Sequence, residues 1–238
     1  MQSIYSLSVL LPVMDETFSL VHTVEKIISF NDARIKKIII ISSPRTSVNS
    51  LICIKNLEIS YGSKIIHIIQ KKPYLGGALQ DGFDIVRTTH LLLMASDLET
   101  DPILIPNMIE TSLSNINSIV TVSRWLKKGH FINYSRIKWI LNWIFQKFFS
   151  SLYSVNLTDM TYGYRIYPSH VLRDIKWKEL RHPFLFECLL KPLLNNVKII
   201  EISGKWSSRV EGNSHNPFHV NFSYIRVGLE LRFQYFLK

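Results

Sequence analysis

The chain contains few cysteines and few acidic residues for its size. Its 238 residues include two cysteines, Cys53 and Cys188, and 18 acidic side chains against 28 lysines and arginines. Two isolated thiols exclude a disulfide framework and a cysteine-based zinc site, and they are typical of a protein in a reducing compartment. The net charge of +10 favours an anionic partner, such as a phosphate group or an acidic membrane surface.

Long apolar runs are also missing. No stretch approaches the roughly 18 consecutive apolar residues of a membrane span. The first apolar run is interrupted at Pro12 and followed by Asp15 and Glu16, which predicts a strand rather than a signal peptide. The basic residues are spread along the chain without a basic tail or a clustered basic helix, so we expect no nucleic-acid partner. Any contact with a membrane is therefore expected to be peripheral.

Apolar runs and amphipathic stretches alternate through the first hundred residues. Strands are predicted at 6–13, 38–41, 65–69 and 91–94, and helices at 18–30, 48–60 and 76–86. This alternation predicts an α/β fold with a mostly parallel, open sheet that carries helices on both faces. A helix from 102 to 113 and a strand from 119 to 123 continue the pattern. No linker interrupts it, so a single domain over 1–238 is expected.

The strand at 91–94 is followed by three acids at alternate positions, Asp97, Glu99 and Asp101. Residues i and i+2 of an extended chain point to the same side, so Asp97 and Glu99 are predicted to converge. Sheets of this class bind ligands just beyond the carboxyl ends of their strands. The alternative is that the acids only begin the next helix, where a carboxylate is stabilising by roughly 0.3–1 kcal/mol.

Two amphipathic stretches lie in the C-terminal part of the chain. Residues 139–153 are apolar except for a narrow polar stripe at 142, 146, 147, 150 and 151, and Arg136 and Lys138 precede them. Residues 219–238 carry an apolar stripe at 222, 225, 229, 233 and 236. Each helix either packs against the domain or lies at a membrane interface.

Short motifs follow one another in order between residues 6 and 215. They are Pro-Val-Met-Asp-Glu at 12–16, Pro-Tyr-Leu-Gly-Gly at 73–77, Ala-Ser-Asp-Leu-Glu at 95–99, Ser-Arg-Trp at 123–125, Asp-Met-Thr-Tyr-Gly-Tyr-Arg at 159–165, Phe-Glu at 186–187 and Arg-Val-Glu-Gly-Asn-Ser at 209–214. Their order and spacing resemble those of the family-2 glycosyltransferases, in particular the dolichol-phosphate mannose synthase-like group.

The resemblance implies a GT-A fold and a hexosyltransferase that uses a nucleotide sugar, a GDP- or UDP-hexose. It assigns residues 1–122 to the donor, 123–218 to the acceptor side and 219–238 to a C-terminal amphipathic segment. It places these residues at the nucleotide sugar: Pro12, Met14, Glu16, Ser43, Gly76, Gly77 and Asp97. For Glu16, the alternative is an acid in the first turn of a helix.

The resemblance also implies a Mg²⁺ or Mn²⁺ ion at Asp97 and Glu99, which would bridge the diphosphate. Two departures from the family pattern stand against these assignments. Ala95 stands where the family has the first acid of its metal motif, and Ser42 with Ser43 replaces an acidic pair, which removes a carboxylate that would contact the nucleotide. These departures favour an alternative of another class, a degenerate nucleotide- or membrane-binding module without activity.

The acceptor side is implied by the remaining motifs. The residues expected to take part in catalysis are Arg124, Arg136, Asp159, Arg165, Glu187 and Arg209. The arginines suit phosphate recognition, because a guanidinium matches phosphate oxygens in a bidentate way. Asp159 is expected to shape the acceptor side or to act as a base, and Glu187 to be another base or a buried partner of Arg165. Residues 209–214 resemble a segment that closes over donor and acceptor, with Gly212 as its mobile point.

The resulting prediction is a cytoplasmic enzyme, peripheral on the inner face of a membrane. It would transfer a hexose to a polyprenyl phosphate, either dolichyl or undecaprenyl phosphate. A lipid phosphate is already ionised at neutral pH and needs no general base, so positioning and charge would carry the reaction. The alternative acceptor is a hydroxyl of a saccharide or of a cell-surface polymer, a glycan.

Overall fold

The computed structural model describes residues 4–131, 135–211 and 220–236. The strands are β1 (Leu7–Val13), β2 (Ile35–Ser42), β3 (Ile65–Ile69), β4 (His90–Leu93), β5 (Ile119–Ser123), β6 (Arg165–Pro168) and β7 (Ile199–Ser203). The helices are α1 (Phe18–Ser29), α2 (Val48–Tyr61), α3 (Tyr74–Ile85), α4 (Ile105–Leu113), α5 (Arg136–Leu152), α6 (Ser169–Arg173), α7 (Phe184–Leu194) and α8 (Val220–Phe236). Short 3-10 helices occur at Gly62–Lys64 and Pro102–Leu104.

The strands form one sheet of seven in the order β3-β2-β1-β4-β6-β5-β7. β3, β2, β1 and β4 are parallel neighbours, β6 is antiparallel to β4 and β5, and β7 is parallel to β5. The mostly parallel open sheet expected from the sequence is therefore confirmed. The structure adds β6, which lies between β4 and β5, and β7, which forms the edge of the sheet beside β5.

Helices cover both faces of this sheet. One apolar cluster joins the strands to α1, α2 and α4, and a second joins them to α3, α6 and α7. The isoleucines of β2 contribute to both clusters, and Ile38 to Ile41 are at most 1% exposed. Successive side chains of a strand point to opposite faces, so an uninterrupted apolar run is what a strand covered on both sides requires.

Helix α5 contacts the domain through Gln146 of its polar stripe and through the apolar Phe149, and it turns most of its apolar surface outward. Gln146 and Phe149 are its buried residues. Lys147 and Ser151 of the stripe are exposed. The Gln146 amide is used by the neighbouring segment: its Oε1 accepts from the Met160 N–H at 2.8 Å, and its Nε2 donates to Thr161 Oγ1 at 2.9 Å. A buried amide with these partners is satisfied, so Gln146 attaches this helix to the segment at 160–161.

Helix α8 packs through a different face from the stripe seen in the sequence. Tyr224 and Leu231 pack against the apolar cluster of α5 and α7, and the Tyr153 hydroxyl donates to the Gly228 carbonyl at 2.8 Å. Phe222 and Phe233, from the predicted apolar stripe, are 65% and 63% exposed. Ile225 of the stripe is also exposed and Leu229 is half-buried, so most of the described stripe faces outward. No helix in the described part of the chain is both long enough and apolar enough to cross a membrane.

Candidate functional site

The acids after β4 lie on an irregular loop and not on a continued strand. β4 ends at Leu93, and Leu98 has a φ of +64°, in the left-handed region. The expected extended alternation is therefore wrong, because the chain turns at Leu98. A left-handed leucine costs roughly 1–2 kcal/mol, which the surrounding contacts must offset.

Asp97 and Glu99 nevertheless converge, and both face Arg209. The Arg209 Nη2 lies 3.0 Å from Glu99 Oε1 and 3.5 Å from Asp97 Oδ2. The Arg209 Nε is a second donor to Glu99 Oε1, at 3.1 Å. The sequence predicted Arg209 as a phosphate ligand, and the structure places its guanidinium on the two carboxylates predicted to bind metal.

Residues 204–211, which we call the strap, cross this loop. The Val210 N–H donates to the Asp97 carbonyl at 3.3 Å, and the Ser207 hydroxyl donates to the Leu98 carbonyl at 3.3 Å. At the start of the strap, the Trp206 N–H donates to the His130 carbonyl at 2.8 Å. At the turn, the carbonyl groups of Asp97 and Leu98 are thus the acceptors for the strap.

The strap ends on helix α1. The Glu211 carboxylate accepts hydrogen bonds from the N–H and hydroxyl groups of both Thr17 and Ser19. Burial alone would raise the pKa of Glu211, but these hydrogen bonds outweigh it and hold the pKa at about 2. Glu211 was predicted only as part of the closing segment 209–214, with no role of its own. The sequence signal for this contact was the pair of hydroxyl residues Thr17 and Ser19 at the start of α1, a helix that has no acid in its first turn.

Three carboxyl groups near the strap bind protons more tightly than usual. Burial raises the pKa values of Asp97, Glu99 and Glu16, and the charge of Asp97 raises those of the other two further. A nearby cation relieves this repulsion, and Arg209 supplies one positive charge. Carboxylate oxygens are also the ligands that Mg²⁺ and Mn²⁺ prefer, so Asp97 and Glu99 fit a divalent ion.

Few protein ligands are available for such an ion. Within the described residues, no group of three or more His, Cys, Asp or Glu side chains has the geometry of a metal site. Asp101 caps the 3-10 helix by accepting from the Ile103 N–H at 3.0 Å, so the alternative of a helix-starting acid applies to this residue. One or two carboxylates, completed by phosphate oxygens and water, suit Mg²⁺ in nucleotide sites.

The predicted nucleotide residues of β1 lie at the same edge of the sheet. Glu16 Oε2 accepts from the Met14 N–H at 2.6 Å and from the Asp15 N–H at 3.1 Å, so Glu16 closes the turn after β1 and does not belong to α1. The Pro12 carbonyl accepts from the Ser96 hydroxyl at 2.8 Å, which joins the ends of β1 and β4.

Ser43, Gly76 and Gly77 have structural partners of their own. The Ser43 hydroxyl accepts from the Arg45 N–H at 3.1 Å. A Cβ atom at Gly76 would lie 2.7 Å from the Leu180 carbonyl carbon, and one at Gly77 would lie 2.7 Å from the Lys72 carbonyl group. The glycines therefore let α3 approach the neighbouring chain closely, and their contact with the nucleotide remains a prediction.

Arg124 and Asp159 bind each other. Arg124 Nε and Nη2 donate to the two carboxylate oxygens of Asp159 at 2.6 and 2.9 Å, and the Arg124 N–H is a third donor at 3.2 Å. The pair is buried, with Asp159 0% exposed, and the guanidinium lies 4.6 Å from the centre of the Tyr162 ring. This pairing favours a structural role for both residues. That Arg124 binds phosphate, and that Asp159 shapes the acceptor side or acts as a base, stay predictions.

Arg165 and Glu187 are also structural in this arrangement. Arg165 is 0% exposed and donates to the Met160 and Leu185 carbonyls and to the Thr121 hydroxyl. The Glu187 carboxylate accepts from the N–H groups of Lys178 and Glu179 and pairs with Lys191. Its ionic partner is thus Lys191 rather than Arg165. Because Arg165 is buried and donates its hydrogen bonds to these protein groups, it holds β6 in place and does not face a substrate.

Arg136 is exposed at the start of α5, where it lines a shallow depression of about 360 Å³. The other described lining residues are Gly129, Phe131, Trp139 and Ile140. Phe131 also pairs with Trp206 of the strap through a β-bridge, which links the depression to the carboxylate site. The predicted closing residues Gly212 to Ser214 lie outside the described residues.

The comparisons with known proteins agree with this architecture. The sequence profile of glycosyl transferase family 2 matches residues 8–176. A structure of glucosyl-3-phosphoglycerate synthase from Mycobacterium tuberculosis with Mn²⁺, UDP and phosphoglyceric acid superimposes with a TM-score of 0.71 at 14% identity, covering 97% of this chain and 78% of that one. A structure of the same enzyme with Mg²⁺ and UDP has a TM-score of 0.70 at 13% identity, covering 97% and 79%.

At these identities the similarity to the synthase establishes the fold. No curated protein sequence matches the chain. The similar structures are of this synthase and do not single out the mannose synthase-like group that the motifs suggested. The family match covers most of the chain, including the acids after β4. The family match and the GT-A architecture together confirm the predicted enzyme class, a sugar transferase. The chain belongs to glycosyl transferase family 2.

Proposed function

We propose that the protein transfers a hexose from a UDP- or GDP-hexose to a polyprenyl phosphate held at a membrane surface. The observation that carries the acceptor assignment is the outward face of α5. Seven large apolar residues of this helix are between 40% and 71% exposed. They are Ile137, Trp139, Ile140, Leu141, Trp143, Ile144 and Phe148.

An exposed face of this kind suits a lipid interface. A half-exposed large apolar side chain that enters the interface contributes roughly 1 kcal/mol, so seven together contribute several kcal/mol. Arg136, Lys138 and Lys147 lie on the same helix, and a basic residue near an anionic leaflet adds about 1 kcal/mol. Peripheral binding through α5 would bring a lipid phosphate next to the depression that Arg136 lines.

The carboxylates on the acceptor side support a phosphate acceptor. Asp159 is occupied by Arg124, and Glu187 by Lys191 and two backbone N–H groups. A hydroxyl acceptor needs a base within reach of its proton, whereas a phosphate is already ionised. A phosphate acceptor, which needs no base, is therefore compatible with the paired state of Asp159 and Glu187.

On the donor side, the charge of a nucleotide diphosphate has to be neutralised as the sugar leaves. Mg²⁺ or Mn²⁺, when bound, supplies that charge, and the synthase structures with UDP contain one or the other. Asp97 and Glu99 are the residues that would hold it. Arg209 lies close to Asp97 and Glu99, so its charge would add to the two positive charges of the ion beside the phosphates. The raised pKa values of Asp97 and Glu99 mark them as groups that gain from a cation.

The proposal is tested by a panel of radiolabelled nucleotide sugars with Mn²⁺ and three acceptors. The acceptors are polyprenyl phosphate in anionic vesicles, a free saccharide and 3-phosphoglycerate, the last because structures of the similar synthase contain phosphoglyceric acid. We expect label in the lipid extract, a loss of at least about 100-fold in Asp97→Asn, and normal turnover in the control Glu110→Gln. Label found only in water-soluble product would replace the lipid acceptor, and no transfer to any acceptor would favour the non-catalytic module.

Membrane contact is tested separately by sedimentation with the same vesicles. Replacing Trp143 and Ile144 by serine is expected to weaken binding by at least about tenfold, because two large apolar side chains no longer enter the interface. The matched control is Ile59→Ser, which removes a side chain that is 72% exposed on α2. Equal binding by both variants would exclude α5 as the contact surface.

A further inference from the structure

The strap is attached to three different parts of the chain. It binds the His130 carbonyl through Trp206, the loop after β4 through Ser207 and Val210, and helix α1 through Glu211. Arg209 lies between Ser207 and Val210, the two strap residues bound to the loop after β4, and two residues before Glu211. The position of its guanidinium therefore depends on both attachments.

Glu211 is the attachment with the most hydrogen bonds. Its carboxylate accepts from the Thr17 N–H, the Ser19 N–H and the Ser19 hydroxyl at 2.9 Å each, and from the Thr17 hydroxyl. The first N–H groups of a helix have no partner inside it, and α1 has neither a capping bond from Thr17 nor an acid in its first turn. Glu211, 194 positions after Thr17 in the sequence, thus supplies the missing acceptor.

The attachment has a consequence for the carboxylate site. With Ser207 and the Val210 N–H on the loop after β4 and Glu211 on α1, the strap is held on both sides of Arg209 and has little freedom there. The Arg209 guanidinium is thereby held 3.0 Å from Glu99 and 3.5 Å from Asp97. These two distances place the guanidinium as the counter-cation of both acids.

We propose that Glu211 is a positioning residue, which fastens the strap to α1 and so holds Arg209 on Asp97 and Glu99. The inference rests on the proposed function in that Asp97 and Glu99 are the cation-binding acids of the transferase. It follows that a free divalent ion must compete with the guanidinium. A nucleotide diphosphate removes this competition, because its phosphate oxygens are an alternative partner for Arg209.

The test is a double-mutant cycle with Glu211→Gln, Arg209→Gln and the double variant. Two quantities are measured: amide hydrogen exchange in the peptide covering 205–211, and the affinity for Mn²⁺ alone, by calorimetry without nucleotide. Glu211→Gln is expected to accelerate exchange of the Val210 N–H. Both single variants are expected to bind Mn²⁺ about fivefold more tightly, as loss of a partly exposed ion pair implies. The double variant is expected to match Arg209→Gln alone, because Glu211 acts through Arg209.

A matched control separates positioning from simple stability. Asp32→Asn also removes a carboxylate that accepts a backbone N–H, from Arg34, together with guanidinium bonds. It should lower stability without changing strap exchange or Mn²⁺ affinity. The proposal is overturned if Glu211→Gln behaves like this control, if the effects on Mn²⁺ affinity add, or if Arg209→Gln binds Mn²⁺ no more tightly than the wild type. Absence of sugar transfer by the wild type would refute the proposed function and leave this cycle to decide on Glu211.

Discussion

Replacing Asp159 by asparagine tests whether this acid is structural or catalytic. The substitution keeps the shape of the side chain but leaves the Arg124 guanidinium buried without its counter-charge. Asp159 is 0% exposed and Arg124 8%. Removing one partner of a buried ion pair costs about 3–5 kcal/mol. Because Arg124 keeps its contact with the Tyr162 ring, at 4.6 Å, we expect the lower end of this range.

The magnitude translates into a clear thermal shift. In a chain of this length, each kcal/mol moves the Tm by roughly 2–4 °C, so Asp159→Asn should lower it by roughly 6–12 °C. Urea unfolding followed by circular dichroism measures the same loss as a lower midpoint at an unchanged m-value. The double variant Arg124→Met/Asp159→Asn should recover part of the loss, because no charge is then left buried.

The control for this prediction is Glu230→Gln. Glu230 forms exposed ion pairs with Lys178 and Arg226, and loss of such pairs changes stability by at most about 1 kcal/mol. If Asp159→Asn changed the free energy of unfolding by less than about 1 kcal/mol and still abolished sugar transfer, the structural role of Asp159 would be refuted. Asp159 would then be the base that the motif comparison implied.

Three further predictions concern other parts of the molecule. The unfolded chain protonates Glu211 near its ordinary pKa of 4.5 and the folded chain near 2, so the stability lost in Glu211→Gln should be full above pH 4.5 and vanish as the pH falls to 2, measured by urea unfolding. Gly228→Ala should cost about 1–3 kcal/mol, because its Cβ would lie 2.1 Å from the Phe149 ring; an unchanged unfolding midpoint would contradict this packing. Iodoacetamide should label Cys53 and spare the buried Cys188, whose thiol pKa is raised by burial, with mass spectrometry as readout.

Local sequence patterns predicted the order of elements because these patterns arise within single helices and strands. The run Ile38 to Ile41 has to be covered on both faces, and it forms β2 in the middle of the parallel strands. The acids after β4 were likewise predicted to converge, and Asp97 and Glu99 do so. They do so because the chain turns at Leu98, and not because β4 continues as an extended strand.

The pairing of charged groups was not predictable in the same way. The motifs placed Arg124, Asp159, Arg165 and Glu187 at the acceptor side, but a motif does not reveal which donor meets which acceptor. Arg124 and Asp159 are 35 positions apart, and each is satisfied by the other. The arginine at 165 is fully buried and donates to carbonyls and a hydroxyl of other segments.

The sequence by itself determined the α/β class, the edge of the sheet where the acids lie and the amphipathic character of α5. Only the tertiary structure decided that α5 turns Gln146 and Phe149 inward and seven other large apolar residues outward, and that Glu211 holds the strap on α1. The physical reason is that periodicity records which side chains share a face, whereas the partner of that face comes from chain segments far away. Burial and hydrogen bonding between such segments depend on the fold as a whole.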